Sequence, residues 1–305
     1  MSTNDVSVVV ASYNAGELLA RTVGAVNGGE REVIVVDNAS SDGSPELVRE
    51  RFPDVRLLEL PENRGFGAAN NAGIEVAGGR YVLLLNSDAW PVGDGIDSLV
   101  AFADRRPRAG AVGPRLLHPD GSLQRSVRGY PTLWRLATEY FFLRKLAPRS
   151  ELFNGFYAGG FDHDHEREAE FLMGAVLLVR REALDAVGGF DEQFFLFSEE
   201  TDLCYRLRRA GWSVLFTPEA EFVHVGGAST RPEWNRMYRE QLRSHLRFLA
   251  KHGSEAKAER ARRMLVAALR LRSVAFPGER GRTYAEAAQW LGSATAAQLL
   301  QELRP

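Results

Sequence analysis

Tyr81-Val82-Leu83-Leu84-Leu85-Asn86-Ser87-Asp88 reads as a buried strand whose apolar run stops abruptly in polar groups. In α/β sheets, ligand sites lie at the carboxyl ends of the strands. A carboxylate placed there, Asp88, can hold a hard divalent cation, while Asn86 and Ser87 orient water, substrate or the carboxylate itself. Asn, Ser and Asp are also favoured at an ordinary strand-to-turn exit. The surrounding chain therefore decides the meaning of the stretch.

Upstream of it, apolar strands alternate with helix-like segments. Val6 to Ala11 is followed by a helix to about Val26, Val33 to Asp37 by a helix from Pro45, and Val55 to Leu60 by a helix from Gly65. This rhythm predicts an α/β fold with a Rossmann-like, mainly parallel sheet flanked by helices. Ser44 as N-cap and Pro45 as first helical residue would make Asp37-Asn38-Ala39-Ser40-Ser41-Asp42-Gly43 a strand-to-helix loop on the ligand-binding edge.

After Ala111 the pattern becomes irregular, as in an α+β region. His118-Pro119-Asp120-Gly121-Ser122 reads as a turn and Phe171 to Arg180 as a buried strand. Tyr130 to Trp134 and Glu139 to Lys145 form an aromatic segment with basic residues, suited to core packing, a lid, or contact with a membrane-bound substrate. From about Arg231 the chain reads as helical and locally basic, with solvated faces or attraction to an anionic membrane as alternatives.

The 305 residues, 45% hydrophobic and 26% charged, suffice for one large domain or a domain with an extension. A formal net charge of -2 gives no basic footprint for nucleic acid. The single cysteine, Cys204, excludes an intrachain disulfide and a thiolate metal cluster, and a reducing, cytoplasmic setting fits. No export signal is recognisable at Met1 to Asp5, and nowhere do ~18 apolar residues run uninterrupted.

Four polar clusters share a pattern. Ala11-Ser12-Tyr13-Asn14 and Asp37-Asn38 with Ser40-Ser41-Asp42-Gly43 follow the first two strands. Asn63-Arg64-Gly65-Phe66-Gly67-Ala68-Ala69-Asn70-Asn71 combines a cation with small residues, including Gly67, at a helix start, a setting that suits a phosphate. It has Asn70 where a dinucleotide fingerprint needs its third glycine, and no Walker A sequence occurs. The fourth cluster, Phe194 to Arg206, sets Glu199, Glu200 and Asp202 at a helix start. Glu199 and Asp202 would share a face, and Glu200 would point away by roughly 100°. Acids there also suit the helix dipole. His224 leaves an apolar strand before Gly226-Gly227, and its neutral imidazole could join Asp88 on a metal.

In this order, Val8 to Asn14, Val36 to Gly43, Asn63 to Gly67, Asn86-Ser87-Asp88, Gly188 to Glu192, Glu199 to Leu203 and His224 to Ser229 resemble the family-2 inverting glycosyltransferases of the GT-A fold, especially their bacterial rhamnosyltransferase-like branch. The resemblance implies that Ser12, Tyr13, Asp37 and Arg64 hold the donor nucleotide, with Asp37 near its base or ribose. It also implies that Asp88 and His224 approach Mn2+ or Mg2+ on the donor diphosphate. The family's metal motif usually has two Asp residues one apart, where this chain has Asn86-Ser87-Asp88. Glu200 occupies the usual base position, with Glu199 as rival and Asp202 in a supporting role.

The resemblance further implies a GT-A domain over residues 1–229, with a nucleotide-sugar half to about 115 and an acceptor-side half from about 116, then a helical extension over 230–305. The expected reaction is transfer from a nucleotide-diphosphate sugar, dTDP-rhamnose as first choice, to a glycan or lipid-linked acceptor in cell-envelope or exopolysaccharide assembly. A cytoplasmic enzyme is expected, with peripheral contact at the inner face of the plasma membrane and homo-oligomerisation left open. A noncatalytic nucleotide-sugar or glycan-binding module and a sugar nucleotidyltransferase are the alternatives.

Overall fold

The computed structural model describes residues 5–28, 31–227 and 234–301, which fall into two compact units. The first comprises the chain through Val127, Asp162–Gln193 and the stretch from Glu199 through its last strand. Its opening elements are β1 (Val6–Ser12), α1 (Gly16–Val26), β2 (Glu32–Asp37), α2 (Ser44–Arg51), β3 (Arg56–Glu59), α3 (Phe66–Val76) and β4 (Tyr81–Asn86). These are the alternating elements that the sequence predicts. They are followed by β5 (Ala89–Pro91), α4 (Gly95–Asp104), β6 (Ala109–Leu117) and β7 (Leu123–Gln124).

The sheet runs β3-β2-β1-β4, then Val176–Arg180, β6, Ser213–His224 and β5. The first four strands are parallel, Val176–Arg180 is antiparallel to β4 and β6, and Ser213–His224 is parallel to β6. The sheet is thus mixed and mainly parallel, as expected. Val8, Val10, Leu83 and Leu85 meet Leu19 and Val23 of α1 in a core that leaves the strands almost fully buried. Continuous apolar runs in β1, β2 and β4 follow from burial on both faces.

Two expectations need correction. Gly43, with φ 84°, is the N-cap of α2, and Ser44 is already helical. The Ser44 hydroxyl is engaged elsewhere, donating to Asp42 Oδ1 at 2.6 Å and accepting from Gly16 N at 2.9 Å. The predicted strand over 171–180 is broken into Phe171–Leu172 and Val176–Arg180. Met173 N donates out of the main sheet to Ser126 O, and Gly174 fills the break.

The second unit comprises Arg128–Phe161, Phe194–Ser198 and the C-terminal helices. Helices Leu133–Tyr140, Trp234–His252, Glu255–Ala275, Glu279–Gly292 and Ala296–Gln301 share a core of Leu136, Tyr140, Leu242, Leu246, Leu265, Leu269, Leu291 and Leu299. Residues 128–161, which include the aromatic segment, therefore group with the C-terminal helices. Several of the basic residues are structural: Arg272 donates to the carbonyls of Tyr140 and Glu139, Arg243 pairs with Glu240 at 2.6 Å, and Arg262 with Glu259 at 2.7 Å. Among the described residues, no helix is long and apolar enough to cross a membrane.

Candidate active site

The polar exits of the parallel strands come together at one edge of the sheet. Ser12 stands in register with Asp37 across β1 and β2, and Ala11 with Asn86 across β1 and β4. The loops are stitched by their own polar groups: Asn14 N donates to Ser40 Oγ, Ser41 N to Asn14 Oδ1, and Ser40 N to Asp37 Oδ2 at 2.9 Å. Asn38 ties the second loop to the third, donating to Asn63 Oδ1 and accepting from Arg64 N. Tyr13 is half-buried at the exit of β1.

Ser12 Oγ, Asp37 Oδ1 and Asn86 Oδ1 are buried and have no hydrogen-bond partner among the described residues. Buried polar atoms are ordinarily satisfied, and leaving one bare costs about 1–3 kcal/mol. Three on adjacent strand ends mark a surface shaped for a polar ligand.

β5 explains how Asp88 meets a residue far along the chain. After the turn at Ser87-Asp88, β5 pairs antiparallel with Ser213–His224, so His224 faces Ala89 across the ladder. Thr22 Oγ1 donates to Ser87 O at 2.9 Å and Gly226 N to Asp88 Oδ2 at 3.0 Å, fixing both sides of the turn. His224 Nε2 then lies 3.2 Å from Asp88 Oδ1 and 3.3 Å from Asn86 Nδ2. Asp88 and His224 are about 5–6% exposed. Burial pushes the Asp88 carboxyl up, but the hydrogen bond and charge of a protonated His224, with the Gly226 N–H, outweigh it and hold the group below its ordinary value.

A carboxylate oxygen and an imidazole nitrogen 3.2 Å apart are both donors that a divalent cation accepts, so Asp88 and His224 could hold one between them. Among the described residues, no group of three or more His, Cys, Asp or Glu side chains gathers as a metal cage. A cation on Asp88 and His224 would take its remaining ligands from water or a bound anion.

The acidic helix spans Glu199–Arg209 and is entered through two left-handed residues, Phe197 (φ 66°) and Ser198 (φ 65°). Left-handed backbone in non-glycine residues costs about 1–3 kcal/mol and clusters at functional sites. Its three acids have different surroundings. Asp202 is fully buried and accepts from Arg206 Nε at 2.7 Å, while Arg206 also donates to the carbonyls of Val187 and Gly189. Glu199 is buried and Glu200 half-buried.

Two glycines make room for them. A Cβ on Gly174 would lie 3.3 Å from Glu200 Cβ, and one on Gly67 would lie 3.2 Å from Phe190 Cβ and 3.6 Å from Glu199 Cβ. The small residue at Gly67 is thus occupied in packing α3 against the acidic segment. Arg64 turns its guanidinium to Glu192 at 2.8 Å, and Glu192 also accepts from Asn71.

Thr22 and Gln124 escape motif reading. Gln124 Oε1 lies 2.7 Å from His224 Nδ1, but it sits in a two-residue strand with no pattern to announce it. Cys204 is fully buried, with burial pushing its thiol up to about 12, which removes it as a nucleophile. The predicted His224 to Ser229 motif is described only through Gly227.

A family model described as Glycosyl transferase family 2 matches residues 7–188. N-acetylglucosaminyl-diphospho-decaprenol L-rhamnosyltransferase of Mycobacterium tuberculosis is 37% identical over 243 residues, covering 75% of this chain and 78% of that protein. A structure of mannosyltransferase PcManGT from Pyrobaculum calidifontis in complex with GDP-Man and Mn2+ shares the fold, with a TM-score of 0.55, 20% identity, and coverage of 96% of this chain and 86% of that one. A structure of GalNAc-T7 with UDP, GalNAc and Mn2+ has a TM-score of 0.58 and 16% identity, covering 98% of this chain and 56% of that one.

Proposed function

The chain belongs to glycosyl transferase family 2, and we propose that it transfers rhamnose from dTDP-rhamnose, with inversion, to a hydroxyl of a lipid-linked diphosphate glycan in cell-envelope assembly. It is a glycosyltransferase of the GT-A fold. The observation that carries the reading is the strand-end edge itself: three bare buried polar atoms on β1, β2 and β4, continued by the Asp88–His224 pair at 3.2 Å. The donor and acceptor identities rest on the 37% identical rhamnosyltransferase.

In this reading, residues to about 115 form the donor half and those from about 116 through the last strand the acceptor half. Ser12, Tyr13 and Asp37 take the nucleoside, and Asn86 and Ser87 shape the floor beneath the diphosphate. Arg64 would reach a phosphate by exchanging its pair with Glu192, both groups being a third or more exposed. Asp88 and His224 would hold the divalent cation, Mn2+ or Mg2+. When bound, that ion neutralises charge on the departing diphosphate. Imidazole among the ligands favours Mn2+, the ion in both structural relatives.

Glu200 is the proposed base. It takes the proton of the acceptor hydroxyl as that oxygen bonds to the anomeric carbon. The bond from that carbon to the diphosphate oxygen breaks on the opposite face, and dTDP leaves with the electron pair. A single displacement inverts the anomeric centre. Glu200 suits the role because it is half-buried and its stem lies against Gly174, where a Cβ would crowd it at 3.3 Å. Asp202, committed to Arg206, supports the helix. A lipid-linked acceptor would bring the enzyme to the cytoplasmic face of the membrane.

Calorimetry with dTDP-rhamnose, UDP-galactose, UDP-N-acetylglucosamine and GDP-mannose, with and without Mn2+, tests the donor assignment. Selective, Mn2+-dependent binding of dTDP-rhamnose is expected. Binding of none of the four under either condition would replace the transferase reading with that of a noncatalytic module.

A further inference from the structure

We propose that Gln124 is a positioning residue that holds His224 in the one neutral tautomer able to take a cation; the proposal rests on the reading of Asp88 and His224 as the metal pair. The β6–turn–β7 hairpin builds the contact. His118 N donates to Ser122 O, the chain reverses, and Gln124 comes into register with Leu116 of β6, which pairs on its other side with Phe222 of the strand carrying His224. The Gln124 side chain can therefore reach the imidazole. Its Oε1 lies 2.7 Å from His224 Nδ1, and its Nε2 lies 3.3 Å from His118 Nδ1.

The chemistry of the amide fixes the proton. An amide oxygen accepts and cannot donate, so the 2.7 Å contact is a hydrogen bond only if His224 carries its proton on Nδ1. The amide nitrogen lies 3.3 Å from His118 Nδ1, which accepts from it when that ring nitrogen carries no proton. The lone pair of a neutral ring then resides on Nε2, where Asn86 Nδ2 can donate to it from 3.3 Å. In that neutral ring it also faces Asp88 Oδ1 at 3.2 Å with no proton between them, the gap that a cation would fill; in the protonated ring Nε2–H donates to that oxygen instead.

Without Gln124, the alternative tautomer becomes available. A proton on Nε2 would be donated to Asp88 Oδ1, closing the pair on itself and shutting out a cation. Outer partners of this kind set the tautomer and orientation of histidine ligands, and their loss typically costs 10–100-fold in metal affinity.

The test uses the full-length protein. Nitrogen-15 NMR of metal-free wild type, at a pH where the ring is neutral, should show the His224 proton on Nδ1. Gln124→Leu should shift it to Nε2 and weaken Mn2+ binding about 10–100-fold, read with Mn2+ alone from the electron paramagnetic resonance of the free ion. Gln124→Glu, which still accepts from Nδ1–H, should restore the wild-type tautomer and at least the wild-type affinity. A wild-type ring with its proton on Nε2 overturns the proposal even if neither variant folds. So does a Gln124→Leu protein that keeps the wild-type tautomer. Mn2+ binding that is unchanged in Asp88→Ala would instead overturn the metal reading beneath it, leaving the tautomer measurement to judge Gln124 on its own.

Discussion

Arg206→Met should destabilise the sheet-containing unit by an amount that the burial of Asp202 sets. The Asp202 side chain has no exposure and that of Arg206 has 20%, with Nε 2.7 Å from the carboxylate. Breaking a buried pair by removing one partner costs about 3–5 kcal/mol, because the remaining charge loses its compensation. The guanidinium also donates to Val187 O and Gly189 O, both at 2.7 Å, each worth ~1 kcal/mol net. The expected loss is of order 5 kcal/mol, a large fraction of the 5–15 kcal/mol typical of a domain. Urea unfolding at pH 7, followed by circular dichroism, reads it. Asp202→Leu with Arg206→Met removes both charges and should be more stable than Arg206→Met alone. A cost below ~1 kcal/mol for Arg206→Met, or a double variant no more stable than the single one, would refute the assignment of Asp202 to structure.

Further predictions separate the acids and test the helical unit. Glu200→Gln should lower the transfer rate about 10²–10⁴-fold with donor affinity kept in calorimetry; a rate within a few-fold of wild type would pass the base assignment to Glu199. Gly174→Ala places a methyl 3.3 Å from Glu200 Cβ. A displacement of a few tenths of an ångström should cost kcat roughly tenfold with little change in donor affinity, measured by steady-state kinetics. His245 is buried, its Nδ1 has no hydrogen-bond partner among the described residues, and burial lowers its pKa from 6.5 to about 4. The unfolded chain takes up that proton first, so stability is full above about pH 6.5 and falls as pH drops toward 4, by about 3 kcal/mol in all. Urea unfolding against pH should show that slope reduced in His245→Gln; an identical slope in both would refute it.

The parallel half of the fold was legible because its strands are buried on both faces and so appear as continuous apolar runs, with polar exits where the ladder ends. Each exit, at Ser12, Asp37 and Asn86, is marked by a change of chemistry within one residue. The meeting of Asp88 with His224 is written less openly. A carboxylate at one strand exit and an imidazole at another are visible as ligand types, but what joins them is β5, whose three residues are too short to show a period. Gln124 had no local signal because its partners come from register across β6. The break at 173–175 reads as strand because Met173-Gly174-Ala175 sits between apolar residues, whereas the Glu200 stem that lies against Gly174 comes from another element. Arg206 as the partner of Asp202 was available at i,i+4 spacing, whereas Gly43 displacing Ser44 as N-cap depended on Asp42 and Gly16 drawing the hydroxyl away.

The most direct test of the account is transfer itself, with purified protein, dTDP-rhamnose, Mn2+ and a polyprenyl diphosphate bearing N-acetylglucosamine, scored by mass spectrometry of the lipid and by release of dTDP. One rhamnose should be added per dTDP released, with the anomeric configuration inverted, and product should be lost on chelation or in Glu200→Gln. A retained anomeric configuration, or undiminished transfer by Glu200→Gln, would contradict it.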